Sequence, residues 1–147
     1  MEIIDTVYLV AFLIDSDPLH DKAVQLIESL SLTRKISQAS LLELNLLMKT
    51  RGFNWKQRLR TWLLLSSLIP KDLIEVILPL DLSLAAFIVY KYKLDYFDAI
   101  ISAQCILRNA KPLTTDREIL QMISKSFEVL EEFKQYQDSL IGKLIVL

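Results

Sequence analysis

The chain has 147 residues, of which 52% are hydrophobic, so it fits one domain that buries a substantial core. Its formal net charge of −1 hides an uneven distribution, because the stretch between Glu43 and Asp72 contains six Lys or Arg residues and no acid. Cys105 is the only cysteine, which excludes an intramolecular disulfide and zinc sites built from several cysteines.

Nothing in the sequence predicts a membrane protein. The N-terminus lacks a basic region followed by an apolar stretch and a cleavage site, and no apolar run approaches the ~20 residues that span a bilayer. We therefore expect a soluble, cytoplasmic protein with no membrane contact. Its high apolar content leaves room for surface that is buried against a partner.

The spacing of apolar residues predicts short strands that alternate with helices. In the first half we expect a strand at 3–4, a helix over 6–13 capped by Thr6, a helix begun by Asp17-Pro18 and ending near residue 30, a strand over 33–37, a helix over 40–49 ended by Gly52, and a helix whose apolar face carries Trp55, Leu59, Trp62 and Leu63.

The second half continues the alternation. We expect a strand over 75–78 ended by Pro79, a helix over 82–92 started by Asp81, a helix from 96 to about 108 capped by Asp95, a strand over 112–115, a short helix over 117–123 and a last strand over 127–130. The segment 131–147 is the hardest to assign, since 139–147 fits either an apolar helix or an added strand.

This order of elements predicts an α/β sandwich with a mostly parallel central sheet. We treat 1–147 as a single domain in which 131–147 is a C-terminal extension. Ligands of such sheets gather outside the carboxyl ends of the strands.

Four acidic residues lie at the junctions of the apolar segments. Carboxylates rarely occupy such positions unless they are paired or bind a cation. Asp often caps a helix, but Glu is a poor cap and needs another reason to lie between leucines. Several carboxylates within reach of Mg²⁺ or Mn²⁺ suit phosphodiester cleavage, because hard cations select oxygen ligands. The four residues are Asp5, Glu43, Asp98 and Asp116.

These acids, in this order, resemble those of the PIN-domain ribonucleases, and more closely those of their toxin branch, VapC. The resemblance runs from about residue 1 to residue 130. Its motifs are Ile4-Asp5-Thr6, Ser40-Leu41-Leu42-Glu43-Leu44, Asp95-Tyr96-Phe97-Asp98-Ala99-Ile100-Ile101-Ser102-Ala103 and Leu113-Thr114-Thr115-Asp116.

The resemblance implies a PIN-like three-layer α/β/α sandwich of four to five short strands and a Mg²⁺- or Mn²⁺-dependent endoribonuclease that activates a water. Asp5, Asp98 and Asp116 would be metal ligands, and Glu43 a ligand or the residue that orients the water. Toxins of this family commonly dimerise and are inhibited by a small antitoxin protein, as one half of a type II toxin-antitoxin pair. Thr6 and Thr114 occupy positions that hydrogen-bond the acidic centre, whereas we expect Asp95 to act as a cap rather than as a fifth ligand.

A group of basic residues follows Glu43 in the sequence and suits RNA phosphates, with Phe53 or Trp55 available to stack on an unpaired base. The alternative is a solvated helix face with the aromatic side chains in the core. We expect Trp62 in the core, His20 at a helix start and Cys105 in buried packing. The basic residues are Lys49, Arg51, Lys56, Arg58 and Arg60.

Two other functions remain open at this point. The high apolar content fits a non-catalytic PIN-fold module that works through protein contacts. A phosphatase with an aspartyl nucleophile after the first strand is disfavoured, because no second acid lies two residues after Asp5.

Overall fold

A computed structural model of the chain describes residues 1–140, and its centre is a sheet of four parallel strands. The order across the sheet is β3-β2-β1-β4. In the central strand Ile4 pairs with Ile36 on one side and with Leu113 on the other. Because all four strands run in the same direction, their carboxyl ends meet at one edge. The strands are β1 (Glu2–Ile4), β2 (Arg34–Ser37), β3 (Ile74–Glu75) and β4 (Lys111–Leu113).

Eight α-helices flank this sheet within residues 1–140. None of these described helices has both the length and the apolar character needed to cross a membrane. They are α1 (Thr6–Leu13), α2 (His20–Glu28), α3 (Gln38–Thr50), α4 (Trp55–Leu68), α5 (Pro79–Tyr92), α6 (Tyr96–Arg108), α7 (Arg117–Ser124) and α8 (Ser126–Leu140).

Two hydrophobic cores lie on opposite faces of the sheet. Ile3 belongs to the core formed with α5, α6, α7 and α8, whereas Ile4 and Ile36 belong to the core that includes Leu9 of α1 and Leu65 of α4. Neighbouring residues of a strand point to opposite faces, so the two isoleucines of β1 bury both faces of the sheet at this strand. The predicted α/β sandwich with a parallel sheet is confirmed.

The last predicted strand, over 127–130, is wrong. This segment begins α8, in which the buried residues Val129 and Phe133 are separated by one helical turn. The centroid of the Phe133 ring lies 6.1 Å from the centroid of the Phe87 ring on α5. Of the segment 139–147, Ser139 and Leu140 complete α8, and the remainder lies outside the described residues.

The boundary around Pro79 also differs from the prediction. β3 covers only two residues, and Pro79 opens α5 at its first position, where a missing N–H costs nothing. Asp81 does not precede the helix as a cap. It lies inside the first turn, where its carboxylate accepts the N–H of Leu78 at 2.8 Å. The strand is therefore shorter than predicted, and the helix begins at Pro79 rather than at 82.

The start of the second helix differs in a similar way. α2 begins at His20, so Asp17 and Pro18 stand before the helix rather than at its cap and first position. The Asp17 carboxylate instead accepts the N–H of Leu19 at 2.8 Å and closes a turn. The expected position of His20 at a helix start is correct.

Gly52 ends α3, as the sequence predicts. Its φ of +83° is left-handed, a conformation that favours glycine. The Gly52 N–H donates to Lys49 O at 3.2 Å, and the Phe53 N–H reaches back to Met48 O at 3.0 Å. This pair of hydrogen bonds is a Schellman motif, and it fixes the direction in which the chain leaves the helix.

Candidate metal centre

The four predicted acids meet in one cavity at the carboxyl edge of the sheet. Asp5 directly follows β1, and Asp116 follows β4 after two threonines. Glu43 comes from α3 and Asp98 from the first turn of α6. Carboxylate oxygens of Asp5, Glu43 and Asp98 lie within 4.8 Å of one another. All four acids line a cavity of about 400 Å³.

Asp5 is held by hydrogen bonds to both of its carboxylate oxygens. Oδ1 accepts the N–H of Thr6 at 2.6 Å, and Oδ2 accepts the hydroxyl of Thr114 at 2.7 Å. Asp5, and not Thr6 as the sequence suggested, is thus the N-cap of α1. The side chain is only 5% exposed, so its two oxygens are fixed at the cavity wall.

Asp116 caps α7 and is tied to Asp5 through Thr114. Its Oδ1 accepts the N–H of Glu118 at 2.8 Å and that of Ile119 at 3.3 Å. Its own N–H donates to Thr114 Oγ1 at 2.9 Å. Only one carboxylate oxygen serves the cap, so within residues 1–140 the other has no hydrogen-bond donor and can serve a ligand.

Burial and the mutual repulsion of the negative charges make ionisation of these carboxyl groups unfavourable. Burial raises the pKa of Asp98 to about 7, with further contributions from the negative charges of Asp116, Asp5, Glu43 and Asp95. Burial also raises the pKa of Glu43 and the pKa of Asp5, and the hydrogen bond from Thr114 opposes the rise at Asp5. A divalent cation would relieve this repulsion.

Thr6 adds an observation that fits a cation site. Its side chain is buried beside the acids, and its hydroxyl has no hydrogen-bond partner in the described part of the chain. A buried hydroxyl without a partner costs free energy unless water or a ligand satisfies it. Together with an all-oxygen donor set, this fits a site for a divalent metal ion.

Two further acids border the centre. Asp95 occupies the N-cap position of α6, as predicted, but its side chain makes no capping hydrogen bond and lines the cavity instead. Glu118, which the sequence analysis missed, forms a second group with Asp98 and Asp116 whose oxygens lie within 4.8 Å of one another. An acid in the first turn of a helix is common, so its position alone gave no signal.

The predicted basic residues separate into two sets. Arg51 lines the acidic cavity, and Arg60 lines a neighbouring groove. The Nζ atom of Lys56 lies over the ring of Trp55, 5.6 Å from the ring centroid. The alternative that places the aromatic residues in the core is wrong for Trp55, which is 63% exposed. The residues that line neither cavity are Lys49, Lys56 and Arg58.

Other candidate residues lie away from the centre. Trp62, expected in the core, is only partly buried and packs against the outside of a core, where its indole N–H donates to Asn45 Oδ1 at 3.0 Å. The Nδ1 atom of His20 lies 2.8 Å from Ala11 O. Burial raises the pKa of the Cys105 thiol to about 12, which keeps it protonated. None of the three lines the acidic cavity.

The family model of the PIN domain matches residues 3–125. The chain belongs to the PIN-domain family. The matched segment contains all four acids and Glu118 and ends immediately before α8, so this helix lies beyond the matched PIN domain but packs on its α5.

A solved structure shares the fold. The crystal structure of VapC20 from Mycobacterium tuberculosis, described as a toxin that cleaves the sarcin-ricin loop, aligns with a TM-score of 0.62 and 17% sequence identity. The alignment covers 82% of this chain and 94% of VapC20. No curated protein matches the sequence. The resemblance to the PIN domain that the four motifs predict is thereby confirmed.

Proposed function

We propose that this PIN domain is a metal-dependent endoribonuclease that cleaves RNA with a metal-activated water. The observation that carries the proposal is the approach of Asp5, Glu43 and Asp98 to within 4.8 Å, although they are distant in the sequence. Their raised pKa values, the unpartnered Thr6 hydroxyl and the membership in the PIN family support it.

The residues divide into ligands and groups that hold them. Asp5, Asp98 and Asp116 would bind Mg²⁺ or Mn²⁺, and Glu43 would bind it or orient the attacking water. Glu118 joins Asp98 and Asp116 as a candidate ligand at the rim. When bound, the cation would stabilise charge on the phosphate and lower the pKa of a water. Thr114 keeps Asp5 and Asp116 in place through its two hydrogen bonds.

The biological setting is part of the proposal. VapC20 is described as a toxin, and the present chain shares its fold. We therefore assign this protein to a type II toxin-antitoxin pair in the cytoplasm, as a homodimer that a small antitoxin inhibits. Single-stranded or structured RNA is the expected substrate, and the basic residues after Glu43 would contact its phosphates.

The direct test is cleavage of RNA by matched variants. Wild-type protein with Mg²⁺ or Mn²⁺ is expected to cut single-stranded RNA, and Asp98→Asn to reduce the rate by about a hundredfold or more. Asp138→Asn, at an exposed position of α8, removes the same charge away from the cavity and should cut at the wild-type rate. Equal cleavage by wild-type protein and Asp98→Asn would contradict the proposal.

Metal binding has its own readout. Mn²⁺ should raise the unfolding temperature of wild-type protein and of Asp138→Asn, because a ligand that binds only the folded state stabilises it. Asp5→Asn should lose that response. A shift of the same size in Asp5→Asn would place the metal elsewhere.

A second candidate is a PIN-fold module that works only through protein contacts. A groove of about 520 Å³ between α5 and α8 favours it, since its walls include Phe87, Tyr90, Phe133 and Tyr136. Such a module should show neither RNA cleavage nor a Mn²⁺-dependent rise in unfolding temperature. The two measurements above therefore separate the candidates.

A further inference from the structure

We propose that the groove beside the acidic cavity binds one unpaired nucleotide of the RNA, with its base against Phe53 and a flanking phosphate against Arg60. This inference deepens the proposed endoribonuclease function and rests on it. It assigns to the groove a chemical class of ligand, a single-stranded nucleotide, that the acidic centre alone does not specify.

The first argument is continuity with the acidic cavity. The groove has a volume of about 420 Å³ and lies between α1, α3 and α4. Val10, Leu47 and Arg51 line both the groove and the acidic cavity. An RNA strand whose scissile phosphate lies at the acids therefore has an adjoining space for the next nucleotide. The volume falls within the range of about 300–1,000 Å³ of small-ligand sites.

The second argument concerns the aromatic wall. Phe53 lines the groove together with Met48 and Leu64 of the flanking helices. The Schellman motif at Gly52 fixes the backbone of Phe53, and its side chain remains 45% exposed. An exposed ring held by a rigid turn offers a stacking face at little cost in conformational entropy.

The third argument is charge. Arg51 and Arg60 line the groove, and neither forms an ion pair within the described part of the chain. Guanidinium groups bind phosphate through paired N–H donors. Acids at one end and arginines along the groove match a strand whose scissile phosphate binds the cation and whose flanking phosphate binds arginine.

The same features favour an unpaired nucleotide over a duplex or an apolar peptide. A base within a duplex is stacked on its neighbours, so its face cannot contact a protein ring unless the nucleotide leaves the stack. An apolar peptide would fill the walls of the groove but would gain nothing from the two exposed guanidinium groups, which bind phosphate. A single nucleotide supplies an aromatic face and a phosphate together.

The test measures binding of a short, fluorescein-labelled oligoribonucleotide that cannot pair with itself. Binding is followed by anisotropy in Ca²⁺, and a gel verifies that the RNA stays intact. Phe53→Leu keeps an apolar side chain but removes the ring, and Arg60→Gln removes the charge. Matched controls are Phe127→Leu and Lys134→Gln, at exposed positions of α8.

We expect Phe53→Leu to weaken binding of the single strand about fivefold or more, and binding of the same sequence as a duplex by much less. Arg60→Gln should weaken binding and make its salt dependence shallower by about one phosphate contact. Both controls should bind like wild-type protein, and all variants should keep the Mn²⁺-dependent rise in unfolding temperature, which verifies folding and the acidic centre.

Several results would overturn the inference. They are wild-type affinity in both groove variants, equal loss of duplex and single-strand binding in Phe53→Leu, and absence of RNA binding by wild-type protein. Groove-dependent binding of RNA that Mg²⁺ or Mn²⁺ does not convert to cleavage would instead contradict the proposed function and leave the nucleotide site supported.

Discussion

Thr114 donates its hydroxyl hydrogen to Oδ2 of Asp5 over 2.7 Å, across a separation of 109 residues. The same hydroxyl oxygen accepts the N–H of Asp116 at 2.9 Å. One threonine after β4 therefore positions an acid after β1 and an acid at the start of α7. Hydrogen bonds from such neighbouring groups orient metal ligands and commonly decide their affinity.

We expect Thr114→Val to reduce Mn²⁺ affinity by about ten- to a hundredfold, because Asp5 loses a donor and is freed to rotate. Thr114→Ser keeps the hydroxyl and should stay close to wild-type affinity. Calorimetric titration of Mn²⁺ into the metal-free proteins measures both. Wild-type affinity in Thr114→Val would show that the backbone N–H of Thr6 alone suffices to hold Asp5.

The convergence of the four acids could be predicted because all strands of a parallel sheet end at the same edge. Residues that follow strands collect at one edge, so Asp5 and Asp116 are neighbours despite their distance in the sequence. The side-chain direction of Asp95 and the approach of Glu118 to Asp98 depend on how α6 and α7 pack. No local pattern contains that information.

The misread segment over 127–130 shows how short patterns mislead. Phe127, Glu128 and Val129 alternate between apolar and polar as in a strand, but Leu130 already breaks the pattern. Val129 and Phe133 are buried in the same core as α5, and this packing stabilises the segment as a helix. Because the packing partners are distant in the sequence, a four-residue pattern does not reveal them. Phe127 itself is 76% exposed and contributes little to the choice.

The basic residues illustrate a similar limit. Their sequence spacing places them around the α3–α4 turn but does not indicate which of them face the cavity. Gly52 sets the direction of the chain between the helices, so Arg51 and Arg60 reach the two cavities whereas Lys56 lies over Trp55.

The metal-free protein should lose stability as the pH rises. The pKa of Asp98 is raised from 3.8 to about 7 in the folded state, so between these values the folded protein binds more protons than the unfolded chain. This contribution is complete below about pH 4 and is lost as the pH rises through about 7. The raised pKa values of Asp5 and Glu43 act in the same direction.

Urea unfolding with EDTA from pH 5 to pH 8 measures this dependence. Asp98→Asn should flatten the decrease in the free energy of unfolding, and Asp138→Asn should keep it. Saturating Mn²⁺ should also remove it, because the cation binds the ionised carboxylates. A wild-type slope in Asp98→Asn would mean that other groups control the pH response.

Gly52→Ala should lower the free energy of unfolding by about 1 kcal/mol, because an L-residue pays for the left-handed φ of +83°. An added Cβ would have no heavy atom within 4 Å, so the cost is backbone strain and not a clash. Gly52→Asn should lose less, since Asn tolerates this conformation. Urea unfolding measures all three proteins, and equal losses for Ala and Asn would contradict the conformational explanation.

Asp81 shows that a buried acid near the sheet need not belong to the acidic cavity. It is 1% exposed and binds Nη1 and Nη2 of Arg108 at 2.7 and 2.9 Å, and Arg108 in turn binds Glu75 in β3. This ion pair connects α5, α6 and the edge strand. The hydrogen bonding of the Arg108 guanidinium to the Asp81 carboxylate is the largest reason that the pKa of Arg108 is raised.

Asp81→Ala should therefore lower the free energy of unfolding by about 3 kcal/mol, because Arg108 loses its two hydrogen bonds to Asp81 and keeps only one carboxylate partner, Glu75, and the N–H of Leu78 loses its acceptor. The exposed control Asp72→Ala should change it by less than about 0.5 kcal/mol. Because Asp81 does not line the acidic cavity, its folded variant should bind Mn²⁺ with wild-type affinity. A small loss of stability combined with weakened Mn²⁺ binding would assign Asp81 to the metal centre and not to the support of β3.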